Sequence, residues 1–584
     1  MLDKNNRGTR ALAITVIIAM IAFVILYVRN TVAVEEIPNQ DSDTLIDWTL
    51  ETSDMNNIPL EEDKSIYSDE PDGSLYDVYI SVFPTKSDEG DMYDFNDFDL
   101  HESRDHTYNP VLNCNIQIVD EDETLDPLTA IDNKNATIRV RGNSARGDTY
   151  KSYKVKMSDE AATFFGQTTL NINKHSEDIT KMATVLETRL LTQMDDITSF
   201  QTNYLRVWIR DTSEGDDAGF KYYGIYTHIE QPNKSYLEKR GLSSNANMYK
   251  ARDFSFQQSE VLKNVDDPEY SLEDFETVLT IREGNNHTKL LEMIDAVNDY
   301  EQDFQKVFDK YFNEENYLTW LAFNIIFGNT DIINHNFIIY NPDNSNTWYF
   351  MAWDFDGSLR FGDYESSLMK LPTSLRGIQK LNQSVIHRRF FRLNGSVDKL
   401  TAKIDELIDT VITRENVEEL VSVFKPSLEK TVIYEPDLGL LDMTPDELNI
   451  YLDNLYDGIE ENVQIHKESL QYPMPMYVMD PEERSDGSIY FTWDASYSYQ
   501  GRTIQYNVKI YSDYNMEEMV YEENNISDTF LEYKEGLMDG IYYLYVTAVD
   551  SEGNEQLSME RYETMLTETK ALNVNGLLEF EVGK

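Results

Sequence analysis

The sequence predicts an α+β protein with an N-terminal transmembrane helix, a sheet-rich lobe followed by a mainly helical lobe, and a C-terminal β-sandwich. Three observations predict this class. An uncharged apolar run lies near the N-terminus, apolar residues change from alternating to helical spacing near residue 271, and short alternating segments return beyond residue 473. With 584 residues, 41% of them apolar, the chain is long enough for two or three hydrophobic cores.

The apolar run covers residues 11–28, lies between Arg10 and Arg29, and is about long enough to cross a bilayer as a helix. Basic residues precede the run and acidic residues follow it. The positive-inside rule therefore predicts a cytoplasmic segment 1–10, with the bulk of the chain extracytoplasmic. We expect a single-pass signal anchor in the cell membrane. The alternative is a cleaved signal peptide, but the run is longer than the usual apolar core of such peptides.

The charge of the chain is strongly negative. It has 106 acidic and 50 basic residues, a formal net charge of −56, which argues against nucleic acid as a partner. A single cysteine, Cys114, allows no internal disulfide. Residues 29–74 are polar and acidic, and this composition predicts a solvated stalk.

Residues 75–472 are predicted to form one two-lobed domain. Alternating and β-branched residues predict strands in an N-terminal lobe of about residues 75–260, with one helix at 178–194. Helical spacing predicts a mainly helical C-terminal lobe of about residues 261–472. A sheet-rich lobe followed by a helical lobe is the plan of protein kinases, which at this point is an analogy of fold alone.

Short alternating segments between turn signals predict a β-sandwich over residues 473–568, followed by a tail, 569–584. Trp493 in an early strand, Tyr506 in a middle one and the pattern YYLYVTAVDSEGN resemble a fibronectin type III domain. We interpret these aromatic residues as sandwich core. We expect the domain to bind protein or glycan.

The strongest chemical signal lies in two neighbouring segments. GNTDIINHNFIIY places Asp331 and Asn336 five residues apart between a helix and a strand, and WDFDG places Asp354 after the next strand. Phosphoryl transfer needs a carboxylate that orients the acceptor hydroxyl, an amide oxygen on a metal ion, and a second carboxylate that binds metal and phosphates. The three residues occur in that order and spacing.

A phosphate-binding lysine is expected on a strand near a glycine-rich turn. RGNSARGDTYKSYKVKM supplies such a turn, and strand alternation puts Lys154 and Lys156 on one face and Lys151 on the other. For any one of these lysines, the solvent face of an edge strand is the competing interpretation. The adjacent turn favours Lys154.

Four segments, RGNSARG–KSYKVKM, YYGIYTHIEQPN, GNTDIINHNFIIY and WYFMAWDFDGS, together resemble the CotH kinase family over roughly residues 76 to 470. The resemblance implies a diverged protein-kinase fold and ATP-dependent phosphorylation of serine-type residues on proteins. The implied roles are as follows: Asp331 as catalytic base or acceptor-orienting group, Asn336 and Asp354 as metal ligands, Lys154 as the phosphate-contacting catalytic lysine, and Arg141, Asn143 and Lys156 near the nucleotide.

One acidic partner on the nucleotide side stays open at this point. Glu230, in the family-like IEQ segment, is a candidate to lie near the hinge or to pair with a lysine. Glu187, on the predicted helix, is the other candidate.

We therefore expect a membrane-anchored, extracytoplasmic protein kinase that uses ATP with Mg²⁺ or Mn²⁺ and acts on a protein substrate at the cell surface or coat. The alternative is a catalytically silent kinase-like module for adhesion or assembly, since an extracytoplasmic site must find ATP. A zinc hydrolase is not favoured, because the eight histidines are scattered without metal-binding spacing.

Overall fold

A closed barrel of seven strands forms the first part of the fold. The computed structural model describes residues 58–68, 73–88, 90–101, 108–120, 133–142, 144–158, 163–215, 217–362, 371–567 and 570–583. The strand order in the barrel is β1-β4-β5-β6-β7-β9-β8, and a parallel pairing of β1 with β8 closes it. The elements of this part are β1 (Leu75–Phe83), β2 (Thr85–Lys86), β3 (Met92–Tyr93), α1 (Phe95–Leu100), β4 (Leu112–Asp120), β5 (Ala136–Arg141), β6 (Ser152–Met157), β7 (Thr169–Asn173), α2 (Ala183–Leu191), β8 (Thr202–Asp211) and β9 (Lys221–Glu230).

Strand alternation decides what the barrel presents to its surroundings. In β5, Ala136, Ile138 and Val140 are buried, and the two arginines between and after them point outward. Arg139 on β5 lies opposite Lys154 on β6. The outer face of this strand pair is therefore cationic in an otherwise acidic chain.

The next part combines helices with a four-stranded sheet of order β11-β10-β12-β13. All its pairings are antiparallel, and β12 and β13 form a hairpin. Its elements are α3 (Lys234–Lys239), β10 (Ala246–Ala251), α4 (Leu272–Val278), β11 (Leu279–Glu283), α5 (Thr288–Asn298), α6 (Phe304–Tyr311), α7 (Glu314–Ile326), β12 (Phe337–Pro342), β13 (Tyr349–Ala352), α8 (Ile378–Leu381), α9 (Val385–Phe390), α10 (Ser396–Thr410), α11 (Arg414–Glu429), α12 (Pro445–Asp453) and α13 (Leu455–Ser469).

Helix α2 connects the two parts. It lies within the barrel region of the sequence, but Val185, Leu186 and Leu190 pack in the same core as α7 and the other helices of the second part. The barrel has a separate core of its own, which includes Val78 and Ile172. Helix α2, together with Leu75, Tyr204 and Ile225 of the barrel strands, therefore joins the barrel to the core of the helical part.

Two facing sheets form the C-terminal part. A three-stranded sheet, β14-β15-β18, and a sheet of β17, β16, β19, β20 and β23 bury Phe491, Trp493, Tyr506 and Val508 in one core, while β21 and β22 form a hairpin. Strand β23 lies in the segment predicted as a tail and pairs with β19. The strands are β14 (Glu482–Glu483), β15 (Ile489–Thr492), β16 (Ile504–Tyr511), β17 (Met519–Ile526), β18 (Phe530–Tyr533), β19 (Gly540–Asp550), β20 (Glu555–Leu557), β21 (Arg561–Thr567), β22 (Lys570–Asn575) and β23 (Leu577–Val582).

The structure corrects the predicted fold class. The described residues form mixed α/β structure around a closed barrel and several sheets, and no helix among them is long and apolar enough to cross a membrane. The longest of those helices, α11, has 16 residues and several charges, whereas a spanning helix needs about 20 apolar residues. The predicted span, residues 11–28, lies outside the described residues. Because no described helix can cross a membrane, the predicted single-pass topology and membrane localisation are not supported.

Buried histidines make the stability of this fold sensitive to acid. His228 and His387 are fully buried, and burial lowers the pKa of each imidazole from 6.5 to about 3. Between these values the unfolded chain binds more protons than the folded chain, so stability falls as the pH decreases below 6.5. We expect urea unfolding to show a loss of up to about 1.4 kcal/mol per pH unit for each histidine. His387→Gln should reduce that slope, and an unchanged slope in the folded variant would contradict this explanation.

Candidate active site

The loop between α7 and β12 presents Asp331. Asn336 donates from Nδ2 to Asp331 Oδ2 at 2.7 Å, and His335 Nε2 lies 2.6 Å from Asp331 Oδ1. The hydrogen bond to Asp331 raises the pKa of His335, an effect that burial opposes. About half of the Asp331 side chain is exposed. A carboxylate held by two neighbours and open to solvent is suited to meet an acceptor hydroxyl.

Buried amides fix this loop to the helix before it. Asn324 on α7 donates to the Trp320 carbonyl at 2.8 Å and accepts from Asn329 Nδ2 at 3.0 Å. Asn329 Oδ1 accepts from the backbone N–H of Asp331 at 3.3 Å. Both amide side chains are buried, so these hydrogen bonds transmit the position of the helix to Asp331.

The hairpin brings Asp354 to the same end as Asn336. Phe337 at the start of β12 pairs with Ala352 at the end of β13; Asn336 directly precedes Phe337, and Asp354 follows Ala352 by two residues. Both residues have left-handed backbones, with φ of 59° and 63°. Such conformations are uncommon for residues other than glycine and cluster at functional sites.

A third carboxylate and an imidazole complete this end of the hairpin. Asp356 Oδ2 lies 3.8 Å from Nδ1 of His175, which follows β7 of the barrel. His175, Asp354 and Asp356 each offer a ligand atom within 4.8 Å of the others. Burial and the charge of Asp354 raise the pKa of Asp356. These donors fit a divalent transition-metal ion, which accepts both carboxylate and imidazole ligands.

Opposite these carboxylates lies a cationic cluster, which we define as Arg139, Arg141, Lys154, Lys250 and Arg282. Lys250 Nζ is 3.9 Å from Asp354 Oδ2, and burial lowers the pKa of Lys250 to about 8. Burial also lowers the pKa of Lys154 to about 8 and that of Arg141 to about 10, and the neighbouring cations act in the same direction. Clustered, half-buried positive charges of this kind suit an anionic ligand such as a phosphate group.

The structure brings together most of the residues predicted for the site. Asp331 and Asn336 are in direct contact, Asp354 is at the same hairpin end, and Arg141 and Lys154 are in the cationic cluster. Lys154 also donates to Gln231 Oε1 at 3.1 Å. Lys156 lies on the same barrel face but is exposed. Asn143 lies outside the described residues.

Glu230 does not pair with a lysine of this site. It is buried and accepts from Arg240 Nη2 at 2.6 Å, and Arg240 also binds Glu62. Glu187, the alternative, lies on α2 and is fully buried, where it accepts a hydrogen bond from Ser358, two residues after Asp356. Burial raises the pKa of Glu187 well above its usual value. Of the two glutamates, only Glu187 adjoins the carboxylate segment.

Five residues of the site were not predicted from sequence: Arg139, His175, Lys250, Arg282 and Asp356. Asp356 had a usable signal, because it repeats the acidic residue of Asp354 at a spacing of two. Nothing in the local sequence marks the other four. Lys250 and Arg282 lie on β10 and β11 of the four-stranded sheet, whereas Arg139 and His175 come from the barrel.

A loop that presents an aspartate and an asparagine, an aspartate after the paired strand, and a facing cluster of cations are the parts that a kinase-like phosphotransferase uses. The model of the family described as CotH kinase protein matches residues 138–438, more than half of the chain, and the chain belongs to this family. It is a kinase-like protein.

The chain is also similar to one spore-coat protein and aligns with one solved kinase structure. The chain is 21% identical over 354 residues to the inner spore coat protein H of Bacillus subtilis (strain 168), covering 59% of this chain and 92% of that protein. A crystal structure of the Helicobacter pylori proinflammatory kinase CtkA aligns with 59% of this chain and 95% of its own, at 10% identity and a TM-score of 0.21.

Proposed function

We propose that the protein is an ATP-dependent protein kinase that transfers the γ-phosphate to a serine or threonine hydroxyl of a protein acceptor. The observation that carries this proposal is the pairing of Asp331 and Asn336 at one hairpin end with Asp354, opposite a cationic cluster. In a chain of net charge −56, a local excess of half-buried cations needs a specific anionic ligand, and a triphosphate is such a ligand.

On the acceptor side, Asp331 orients the hydroxyl and accepts its proton as the new oxygen–phosphorus bond forms, while the bond from the γ-phosphorus to the bridging oxygen breaks and ADP leaves. Its two oxygens are held by His335 and Asn336, so its direction is set before the acceptor arrives. His335, as an imidazolium or imidazole N–H donor, stabilises the carboxylate in that orientation. The buried amides of Asn324 and Asn329 hold the loop behind it.

On the donor side, Lys154, Lys250 and Arg141 would contact phosphate oxygens. Asn336 uses Nδ2 for Asp331, so its amide oxygen is the atom available to Mg²⁺ or Mn²⁺, together with a carboxylate oxygen of Asp354. A bound divalent ion neutralises charge that develops on the transferring phosphate. The protein's own contribution is to hold these donors at one end of a rigid hairpin.

Lys250 provides a prediction about nucleotide binding. Lys250→Met should weaken ATP binding about 10- to 100-fold, because a charge-assisted hydrogen bond to phosphate contributes about 1.5–3 kcal/mol. Lys306→Met, at an exposed lysine on α6, should change it less than about twofold. Isothermal titration with ATP and Mg²⁺ measures both. Equal affinities for the two variants would remove Lys250 from the proposed phosphate site.

The class of acceptor rests on a relative. We propose a spore-coat protein as the acceptor, which the name of the Bacillus subtilis relative supports.

We also propose a fibronectin type III-like identity for residues 473–568, supported by two facing sheets with Trp493 and Tyr506 in their core. An experimental structure in which these segments do not form two facing sheets would contradict the latter proposal.

The experiment that tests the function measures transfer of labelled phosphate from ATP by the purified full chain with Mg²⁺ or Mn²⁺. Autophosphorylation and a degenerate serine/threonine peptide library serve as acceptors. Asp354→Asn should abolish transfer, whereas Asp343→Asn, in the exposed turn at the opposite end of the same hairpin, should retain it. No transfer by the wild type with either metal would favour a catalytically silent module.

A further inference from the structure

His175, Asp354 and Asp356 form a mixed imidazole–carboxylate group where the barrel meets the hairpin end. Their ligand atoms lie within 4.8 Å of one another, and Nδ1 of His175 is 3.8 Å from Asp356 Oδ2. That distance is too long for a hydrogen bond. It matches two donors of one first-row divalent ion, which binds nitrogen and oxygen at about 2.0–2.2 Å each and so separates them by up to about 4.3 Å.

The imidazole is fixed in place. The side chain of His175 is only 5% exposed, and its Nε2 lies 3.3 Å from Thr184 Oγ1 at the start of α2. In the tautomer whose Nε2–H donates to Thr184, the lone pair of Nδ1 faces the carboxylates. A histidine whose second nitrogen is held by a neighbour is the usual arrangement of a metal ligand.

The other charged groups nearby are already committed. Asp178 accepts hydrogen bonds from the backbone N–H groups of Thr180, Lys181 and Ala183, so its oxygens are used to hold the turn that leads into α2. Lys250 lies 3.9 Å from Asp354 Oδ2, on the phosphate side. Asp354 has two carboxylate oxygens, so it can serve both that side and the ion.

We propose that His175, Asp356 and Asp354 form a divalent transition-metal site that prefers Mn²⁺ to Mg²⁺ and shares Asp354 with the phosphotransfer centre. An imidazole ligand favours a transition-metal ion, whereas Mg²⁺ prefers oxygen ligands alone. The inference deepens the proposed function, on which it rests for the role of Asp354. It assigns His175 as the residue that decides which metal the enzyme selects.

Mn²⁺ binding to the full chain without nucleotide tests this proposal, with free Mn²⁺ measured by its electron paramagnetic resonance signal and Mg²⁺ as competitor. Loss of an outer-shell partner already weakens metal binding about 10- to 100-fold, so His175→Gln should weaken the tightest Mn²⁺ site about 100-fold. His101→Gln, the control for loss of one imidazole, should not change it. His175→Asp should retain a site but lose the preference for Mn²⁺.

A measurement on the wild type removes dependence on how the variants fold. Pulsed electron paramagnetic resonance of the bound Mn²⁺ should show coupling to one imidazole nitrogen, and a bound ion without nitrogen coupling would overturn the proposal. An unchanged Mn²⁺ affinity in a folded His175→Gln variant would also overturn it. Asp331→Asn should keep the Mn²⁺ site while losing phosphate transfer; therefore a wild type that binds Mn²⁺ through nitrogen but transfers no phosphate refutes the kinase function and not the metal site.

Discussion

Asp331→Asn should lower the rate of phosphate transfer about 10²- to 10⁴-fold, the usual contribution of a positioned general base, and leave ATP affinity within about twofold. Asparagine has the shape of aspartate and still offers an oxygen to Asn336, but it cannot accept the proton of the acceptor hydroxyl. The loss should therefore fall on the catalytic rate rather than on nucleotide binding. Single-turnover transfer of labelled phosphate, with ATP affinity measured in parallel, separates the two.

The matched control for this substitution is Asp343→Asn. Asp343 lies in the β12–β13 turn, where Oδ2 accepts from Asn245 Nδ2 at 3.0 Å, far along the hairpin from Asn336. The Asp343→Asn variant should transfer phosphate at the rate of the wild type. If Asp331→Asn loses ATP binding and transfer in equal measure, Asp331 acts in the nucleotide site and its assigned role is wrong.

Asp437→Ala should destabilise the fold by about 3–5 kcal/mol, the largest stability effect that we expect from one substitution. Asp437 Oδ1 is 2.7 Å from Lys174 Nζ, with both side chains 3% exposed, and its Oδ2 accepts from the backbone N–H of Ile225 at 2.8 Å. Removing the carboxylate leaves a buried, unpaired ammonium between β7 and β9. Urea unfolding followed by circular dichroism measures the loss.

Two controls distinguish burial from ion pairing as such. Lys221→Ala breaks the exposed pair with Glu214, whose side chains are 62% and 47% exposed, and should cost less than about 1 kcal/mol. The double variant Lys174→Met, Asp437→Leu removes both buried charges and should be more stable than Asp437→Ala. A double variant less stable than the single one would contradict this account of the pair.

The proximity of Asp331, Asn336 and Asp354 could be predicted because the β12–β13 hairpin and the loop before it hold all three, and the hairpin register follows from local alternation and a short turn. The positions of Lys250 and His175 could not be predicted, because both are far from these residues in sequence. Lys250 lies on β10, which pairs with β12, and His175 comes from the barrel, after β7. Glu230 was placed near the nucleotide by its segment, but its actual partner, Arg240, sits ten residues further on in a buried ion pair.

The same limit applies to the fold. Individual strands from Leu75 onward were evident from alternation, but closure of the barrel requires β1 and β8 to pair in parallel, with Leu75 opposite Tyr204. No local pattern reports a pairing across so long a separation. Strand β23 was missed for a simpler reason, since its six residues follow a segment of mixed character and were assigned to a tail.

The most direct test of the central claim is mass spectrometry of the acceptor after reaction with ATP whose γ-phosphate carries ¹⁸O. We expect the full chain with Mg²⁺ or Mn²⁺ to place labelled phosphate on serine or threonine, and Asp354→Asn to place none. Absence of label with the wild type in both metals, or equal labelling by Asp354→Asn, would contradict metal-dependent phosphotransfer at this site.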